Sequence, residues 1–168
     1  MIKELAKYIF RFVILVLIQI LIFNNIQLSG YINPYIYILF ILLLPFDTPQ
    51  WLLLILGFLL GVSIDLFCDT LGMHTIATTL MAFLRPFVLN IIAPQDGYET
   101  GSNPTIAFYG FSWFFRYAAI LTVIHHFVLF YIEIFNFGGF LSTLFRVILS
   151  SAVTLFIIIL SQFFVYRQ

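Results

Sequence analysis

Long runs of apolar residues, separated by only short polar breaks, are the feature that most constrains how this chain folds. A helix needs about 20 mostly apolar residues to cross the hydrocarbon core of a bilayer. Of the 168 residues, 63% are hydrophobic and 8% are charged, whereas ordinary soluble domains carry roughly 25% charged residues. The sequence therefore predicts an all-α integral membrane protein.

Six transmembrane helices account for the apolar runs, and we expect one compact bundle that forms a single integral membrane domain over residues 1–168. They are predicted at residues 5–23, 31–46, 50–68, 73–93, 113–131 and 140–166. The second is the shortest, and Pro34 lies near its start, where a first helical turn tolerates proline. Residues 95–104 are rich in turn formers and are predicted to form the central polar loop. The aromatic-rich stretch TIAFYGFSWFF is expected to begin as a helix at the membrane interface.

Basic residues near the N-terminus predict the orientation of the bundle. Lys3, Lys7 and Arg11 form the densest basic cluster of the chain, and such clusters favour the cytoplasmic side of a membrane. Six crossings would return the chain to that side, where Arg167 lies. Both termini are therefore expected in the cytoplasm.

The charge balance and the lack of motifs argue against several functional classes. The net charge is zero, so no basic surface suggests a nucleic acid partner. Cys68 is the single cysteine, which excludes an internal disulfide framework. His125 and His126 are adjacent and point about 100° apart, so we expect a hydrogen bond to a neighbouring helix and no shared metal. The sequence shows no catalytic, phosphate-binding or zinc-binding motif, and we predict a protein that is not an enzyme and holds no cofactor.

The stretch GFLLGVSIDLFCD places two glycines and two aspartates at intervals of four residues. Gly57, Gly61, Asp65 and Asp69 therefore lie along one face of the third predicted helix. Small residues at this spacing let another helix approach closely in a membrane. We predict that this helix is central and that the face contacts a neighbouring helix or a partner protein.

The two aspartates are predicted to have different roles. Asp69 is expected to mark the outer end of the helix and to cap the turn that leads to Gly72. Asp65 lies one turn deeper, where a carboxylate facing lipid would cost about 2 to 3 kcal/mol, so it needs a partner. Arg146 is expected at a similar depth in the sixth helix, and we predict a contact between Asp65 and Arg146.

Two further arginines are candidate contacts for a lipid or a partner. Arg85 precedes Pro86, and the kink that proline favours would free a carbonyl one turn earlier. A cation beside such a kink could bind a lipid phosphate or a partner's carboxylate, although the common alternative is a side chain that extends toward the interface. Arg116 is expected to be an interfacial anchor.

Three segments carry a resemblance to a known family: NPYIYILFILLLPFDTPQW, GFLLGVSIDLFCDTLGMHT and APQDGYE. Together they resemble the rod shape-determining protein MreD, a small protein of the bacterial cytoplasmic membrane with six spans. The resemblance covers residues 24–99, and its most specific element is the spacing of Gly57, Gly61 and Asp65 followed by Gly72. The last two helices match in hydropathy and length alone.

The resemblance implies a non-catalytic scaffold of the cell-wall elongation machinery that maintains rod shape. Its implied partners are MreC, and through MreC the RodA glycosyltransferase, its penicillin-binding transpeptidase partner and, indirectly, the MreB filament. Membrane lipids are also implied as partners, and nucleic acid is not. The family is similar in fold to the substrate-binding subunits of energy-coupling-factor transporters.

That similarity in fold supplies an alternative function, the substrate-binding subunit of a vitamin transporter. Such subunits dock on their energising subunit through alanines spaced four apart on the first helix, and the first helix here reads YIFRFVILVLIQILIF, without them. They also need an outward pocket with convergent polar groups, for which few candidates stand out beyond Asp65, Asp69, His74 and Glu133. The scaffold is therefore the favoured prediction.

Overall fold

A computed structural model describes residues 2–26, 32–99, 101–134 and 139–165 of the protein. The long helices in these residues are α1 (Ile2–Leu21), α3 (Gln50–Cys68), α4 (Met73–Ile91), α5 (Ile106–Ile134) and α6 (Phe140–Val165), and α2 is a single turn at Leu39–Leu42. Successive long helices α3 to α6 pack side by side. We call the end of the bundle where α3 leads into α4 the hairpin end, and the end where α4 leads into α5 the loop end.

The predicted all-α membrane fold is confirmed, but not all six predicted spans are found. Four helices in the described residues are long and apolar enough to cross a membrane: Leu5–Asn25, Gln50–Cys68, Ile106–Ile134 and Phe140–Phe164. Helix α4 is of similar length but carries more polar side chains, His74, Arg85 and Asn90 among them. The predicted helix at residues 31–46 is wrong, because only Ile36–Ile38 and Leu39–Leu42 are helical there.

The chain in place of that predicted helix is a buried core segment, residues 33–45. Every residue from 35 to 44 is at most 9% exposed, and side chains of α1, α4, α5 and α6 all bond to the segment. It runs from the hairpin end, where Asn33 lies, to the loop end, where Pro45 precedes α3. Irregular backbone occurs at membrane depth only where protein or a water-filled cavity surrounds it, and here protein surrounds it.

Buried side chains satisfy the backbone of the first half of the core segment. The Gln19 side chain bonds on both sides, since its Nε2 donates to the Pro34 carbonyl at 3.2 Å and its Oε1 accepts from the Ile36 amide at 2.8 Å. The Tyr35 amide donates to Thr154 Oγ1 at 3.1 Å. Each unpaired amide or carbonyl would cost several kcal/mol in hydrocarbon, so these side chains replace the missing helical hydrogen bonds.

Arg85 and Tyr117 do the same for the second half of the core segment. Arg85 is completely buried, its Nη2 donates to the Leu44 carbonyl, and its Nη1 donates to the Pro45 carbonyl at 3.4 Å. Its Nε donates to the Tyr117 hydroxyl at 2.7 Å, which donates in turn to the Leu42 carbonyl at 3.0 Å. The prediction that Arg85 contacts a lipid or partner, or extends to the interface, is therefore wrong.

Helices α3 and α4 approach closely at the two glycines of α3. A methyl group on Gly61 would lie 2.3 Å from Thr75 Cα, and one on Gly57 would lie 2.9 Å from Ala82 Cβ. Both distances are shorter than real carbon contacts. The glycine spacing therefore brings α3 against α4, its neighbour in sequence.

The loop end is closed by an aromatic cluster at a break in α5. Gly110 interrupts the helical backbone with φ 78° and ψ 165°, a region that suits glycine. The predicted interfacial helix is thus the first turn of α5 before this break. Tyr98 of the connecting loop stacks on Phe46, with ring centroids 4.2 Å apart, and burial raises the pKa of its hydroxyl, which donates to the Leu89 carbonyl at 2.7 Å.

The close approach at Gly61 predicts the effect of adding one methyl group. Gly61→Ala should lower the free energy of unfolding by about 1 to 3 kcal/mol, because the new methyl meets backbone that cannot move alone. Gly57→Ala should cost less, since its methyl meets the side chain of Ala82. Unfolding titrations in mixed micelles would measure both. A more stable Gly61→Ala protein, as helix propensity alone favours, would contradict the packing.

The role of Arg85 can be tested against a second arginine. Arg85→Met should lower the free energy of unfolding by about 3 kcal/mol, because buried carbonyls of the core segment lose their donors. Arg116→Met is the matched control, since Arg116 is exposed and its Nε donates to the Ser112 carbonyl of its own helix, at 3.3 Å. The melting temperature of Arg85→Met in detergent should be lower than that of Arg116→Met, and equal values would contradict the structural role of Arg85.

Candidate functional site

Asp65 caps the start of α4 from the preceding helix. Its carboxylate accepts from the amides of His74 at 3.1 Å and Thr75 at 2.9 Å, which are the second and third residues of α4. The residue before α4 is Gly72, which has φ 83° and no side chain to cap the helix. Asp65 therefore provides the anion that a helix N-terminus favours.

The predicted contact between Asp65 and Arg146 is wrong. The Asp65 carboxylate also accepts from the hydroxyls of Thr70 and Thr75, both at 2.5 Å, so donors of the hairpin itself surround it. Arg146 Nη1 instead pairs with Glu133 Oε2 at 3.0 Å. Asp65 thus stabilises the packing of α3 and α4, as part of the same face as the glycines, and is not presented to a partner.

Asp69 ends α3 through its backbone. It adopts a left-handed conformation with φ 52°, and its amide donates to the Asp65 carbonyl. The carboxylate of Asp69 is on an exposed residue. Its place at the end of the helix fits the predicted capping role, although the backbone and not the carboxylate makes the bond.

A polar cavity of about 340 Å³ opens at the hairpin end. Helices α3, α4, α5 and α6 and the start of the core segment all contribute to its wall. The polar lining includes Asn33, Tyr35, Thr70, His74, Glu133 and Arg146, and the apolar lining includes Phe23, Phe67, Met73 and Leu129. Because polar groups from several elements converge on it, this cavity is the candidate ligand site.

Arg146 is the fixed cation of this cavity. Its guanidinium lies over the ring of Phe130, 4.2 Å from the centroid, a favourable cation–π position. Its Nη2 donates to the side-chain oxygen of Asn33 at 2.7 Å when the amide is oriented so that its nitrogen donates to the Ile32 carbonyl. Its Nε is buried and has no hydrogen-bond partner in the described residues.

Beneath the cavity, a buried tyrosine connects a histidine of the cavity wall to a histidine of α5. The Tyr37 hydroxyl lies 2.9 Å from His74 Nδ1 and 2.8 Å from His125 Nε2, so it bonds to both rings. The ring of Tyr35 packs edge-on against His74, with centroids 5.2 Å apart. The polar network therefore extends from the cavity wall at His74 to the buried middle of α5.

The hydrogen bonds of His126 fix its tautomer. Its Nδ1 lies 2.9 Å from the Thr122 carbonyl, which can only accept, so Nδ1 carries the proton. Its Nε2 then accepts from the hydroxyl of Thr154 at 3.1 Å. Both His125 and His126 thus bond to other elements of the bundle. Within the ranges that the structure describes, no three His, Cys, Asp or Glu side chains are grouped to hold a metal.

The sequence predicts only part of this cavity. It indicates His74 and Glu133 as candidate polar groups of an outward pocket, but Asn33 and Tyr35 lie within the predicted second helix. Arg116 lies elsewhere, exposed on α5, where an interfacial contact remains a prediction. Comparison of the chain with protein-family models, curated proteins and solved structures finds no match.

The two aspartates provide a matched test of the cap. Asp65→Ala should lower the free energy of unfolding by about 2 kcal/mol or more, because two amides and two hydroxyls lose their acceptor. Asp69→Asn removes the same charge one turn later from an exposed position, and asparagine tolerates the left-handed backbone there, so it should change stability by about 0.5 kcal/mol or less. Unfolding titrations would measure both. Equal losses would contradict the assignment of the cap to Asp65.

Proposed function

We propose that this protein is a non-catalytic membrane scaffold of the bacterial cell-wall elongation machinery that binds a single-span partner of the MreC kind. The resemblance of residues 24–99 to the MreD family suggests the machinery. Through MreC, the scaffold would reach the RodA glycosyltransferase, its penicillin-binding transpeptidase partner and the MreB filament. The observation that carries the proposal is a groove on the side of the bundle.

This groove is apolar and lies between α1 and α3. It has a volume of about 510 Å³, and its walls include Tyr8 and Phe12 of α1 and Leu52, Leu56 and Leu59 of α3. In lipid, helices associate through van der Waals packing, because lipid tails are as apolar as the side chains. A groove offers a partner helix more contacts than a convex surface does, so it favours docking of a transmembrane helix.

The distribution of basic residues supports a cytoplasmic position for the loop end. Helix α1 begins with Lys3 and Lys7, and Arg11 Nη1 donates to the Leu43 carbonyl near the end of the core segment. Helix α6 starts at the hairpin end and has 26 residues, or about 39 Å, which brings its last turn toward the loop end. By the positive-inside rule, both termini would be cytoplasmic, in the inner membrane.

A second candidate function is the substrate-binding subunit of a vitamin transporter of the energy-coupling-factor type. The polar cavity at the hairpin end favours it, because a substrate-binding subunit needs convergent polar groups that open outward. Arg146, Glu133 and His74 supply such groups. The two candidates require different partners, which makes them separable by experiment.

The experiment fills the groove and identifies the proteins that co-purify. Ile9→Trp and Leu59→Trp add bulk to exposed residues of the groove, and Phe156→Trp makes a similar change on an exposed residue of α6 outside it. The tagged wild type should retain MreC and wall-synthesis enzymes in mild detergent. The groove variants should retain at least about tenfold less MreC, equivalent to 1.4 kcal/mol, and the control should match the wild type.

One result would overturn the scaffold proposal: recovery of a pair of ATPases with a membrane coupling subunit, and no MreC, would instead support the transporter function. Recovery of MreC in equal amounts from all variants would overturn the assignment of the groove as the docking site.

A further inference from the structure

We propose that the polar cavity binds a small organic anion, whose charged group pairs with Arg146 in place of Glu133. The proposal names the ligand class for the second candidate function. It can also hold for a scaffold, because it depends on the cavity alone.

Arg146 is arranged to receive a negatively charged group. The ring of Phe130, the side chain of Asn33 and the carboxylate of Glu133 hold its guanidinium in one position. A guanidinium has five N–H donors, and the buried Nε donor of Arg146 bonds to none of the residues that the structure describes. An anion at this position would therefore meet a cation that needs little reorganisation.

Glu133 is the partner that a ligand could displace. The Glu133 side chain is 39% exposed, whereas that of Arg146 is 17% exposed. It lies in the last turn of α5, which ends at Ile134. A displaced Glu133 carboxylate would move into water and keep its solvation. Because the ligand anion would take its place beside Arg146, the exchange leaves no buried charge unpaired.

The remaining wall fits an apolar and preferably aromatic body. Phe23, Phe67, Met73 and Leu129 line the cavity together with the ring of Tyr35. The volume of about 340 Å³ lies at the lower end of the range for small-molecule sites, which suits one or two rings. The same chemistry, an anion joined to an apolar body, occurs in soluble aromatic carboxylates and in anionic lipids.

The test uses the full chain in nanodiscs and 1-naphthoate as the probe. In nanodiscs of phosphatidylcholine, the wild type should bind 1-naphthoate at least tenfold more tightly than the neutral isostere 1-naphthamide, as measured by calorimetry. Arg146→Gln should weaken 1-naphthoate binding at least tenfold. Glu133→Gln removes the competing carboxylate and should strengthen it about threefold or more.

The opposite effects of the two variants separate binding from structure. Both variants break the same ion pair, so a purely structural role would weaken binding in both or in neither, and either result would overturn the proposal. Melting temperatures of the ligand-free variants in nanodiscs would show that both variants are folded. Binding requires no ATPase or MreC, so failure here is distinct from failure of the co-purification experiment.

A second arm identifies the source of the anion. If the natural ligand is a lipid headgroup, nanodiscs containing phosphatidylglycerol should compete with 1-naphthoate, and Arg146→Gln should abolish the competition. If it is a soluble anion, the affinity for 1-naphthoate should be the same in both lipids. Failure of both 1-naphthoate and phosphatidylglycerol to occupy the wild-type cavity would refute the proposal.

Discussion

The bonding of one irregular segment inside the bundle is the constraint on which the rest of the structure depends. In hydrocarbon, a backbone group without a partner is costly, and within residues 33–45 only Ile36–Ile38 and Leu39–Leu42 are helical, so the two ends of the segment need other partners. Gln19, Thr154, Tyr117 and Arg85 supply them from four different helices. The sequence predicts a lipid or partner contact for Arg85, but the bonds of all four residues are internal and hold the bundle around its core segment.

The same segment links the fold to the candidate site. Its first residue, Asn33, bonds Ser150 Oγ through its amide at 3.1 Å and Arg146 through its side chain, so it fixes both α6 and the cation of the cavity. Of its next aromatic residues, Tyr35 lines the cavity, and Tyr37 bonds to His74 of the cavity wall and to the buried His125. The polar cavity thus exists because the chain returns through the bundle and not along its outside.

Features that depend on local spacing can be predicted from the sequence. It predicts the long apolar helices and the close-packing face of α3, because helical periodicity places Gly57 and Gly61 together. It failed for Asp65, since opposite charges suggested Arg146 whereas the carboxylate binds amides and hydroxyls of the adjacent turn. The prediction for Arg85 is also wrong. The acceptors of Arg85 are carbonyls that are available only because residues 33–45 do not form one regular helix. This is a tertiary property, which helical periodicity does not encode.

The core segment also imposes an order on how the protein is made. The amide of Tyr35 bonds Thr154, 119 residues later in the chain. At a synthesis rate of roughly 5 to 20 residues per second, Tyr35 leaves the ribosome about 6 to 24 s before its partner does. During this interval the segment cannot have its final bonds in the bilayer, and it must stay in a more polar place, such as the insertion machinery or the membrane surface. Biogenesis of this protein therefore ends with the enclosure of an early segment by a late helix.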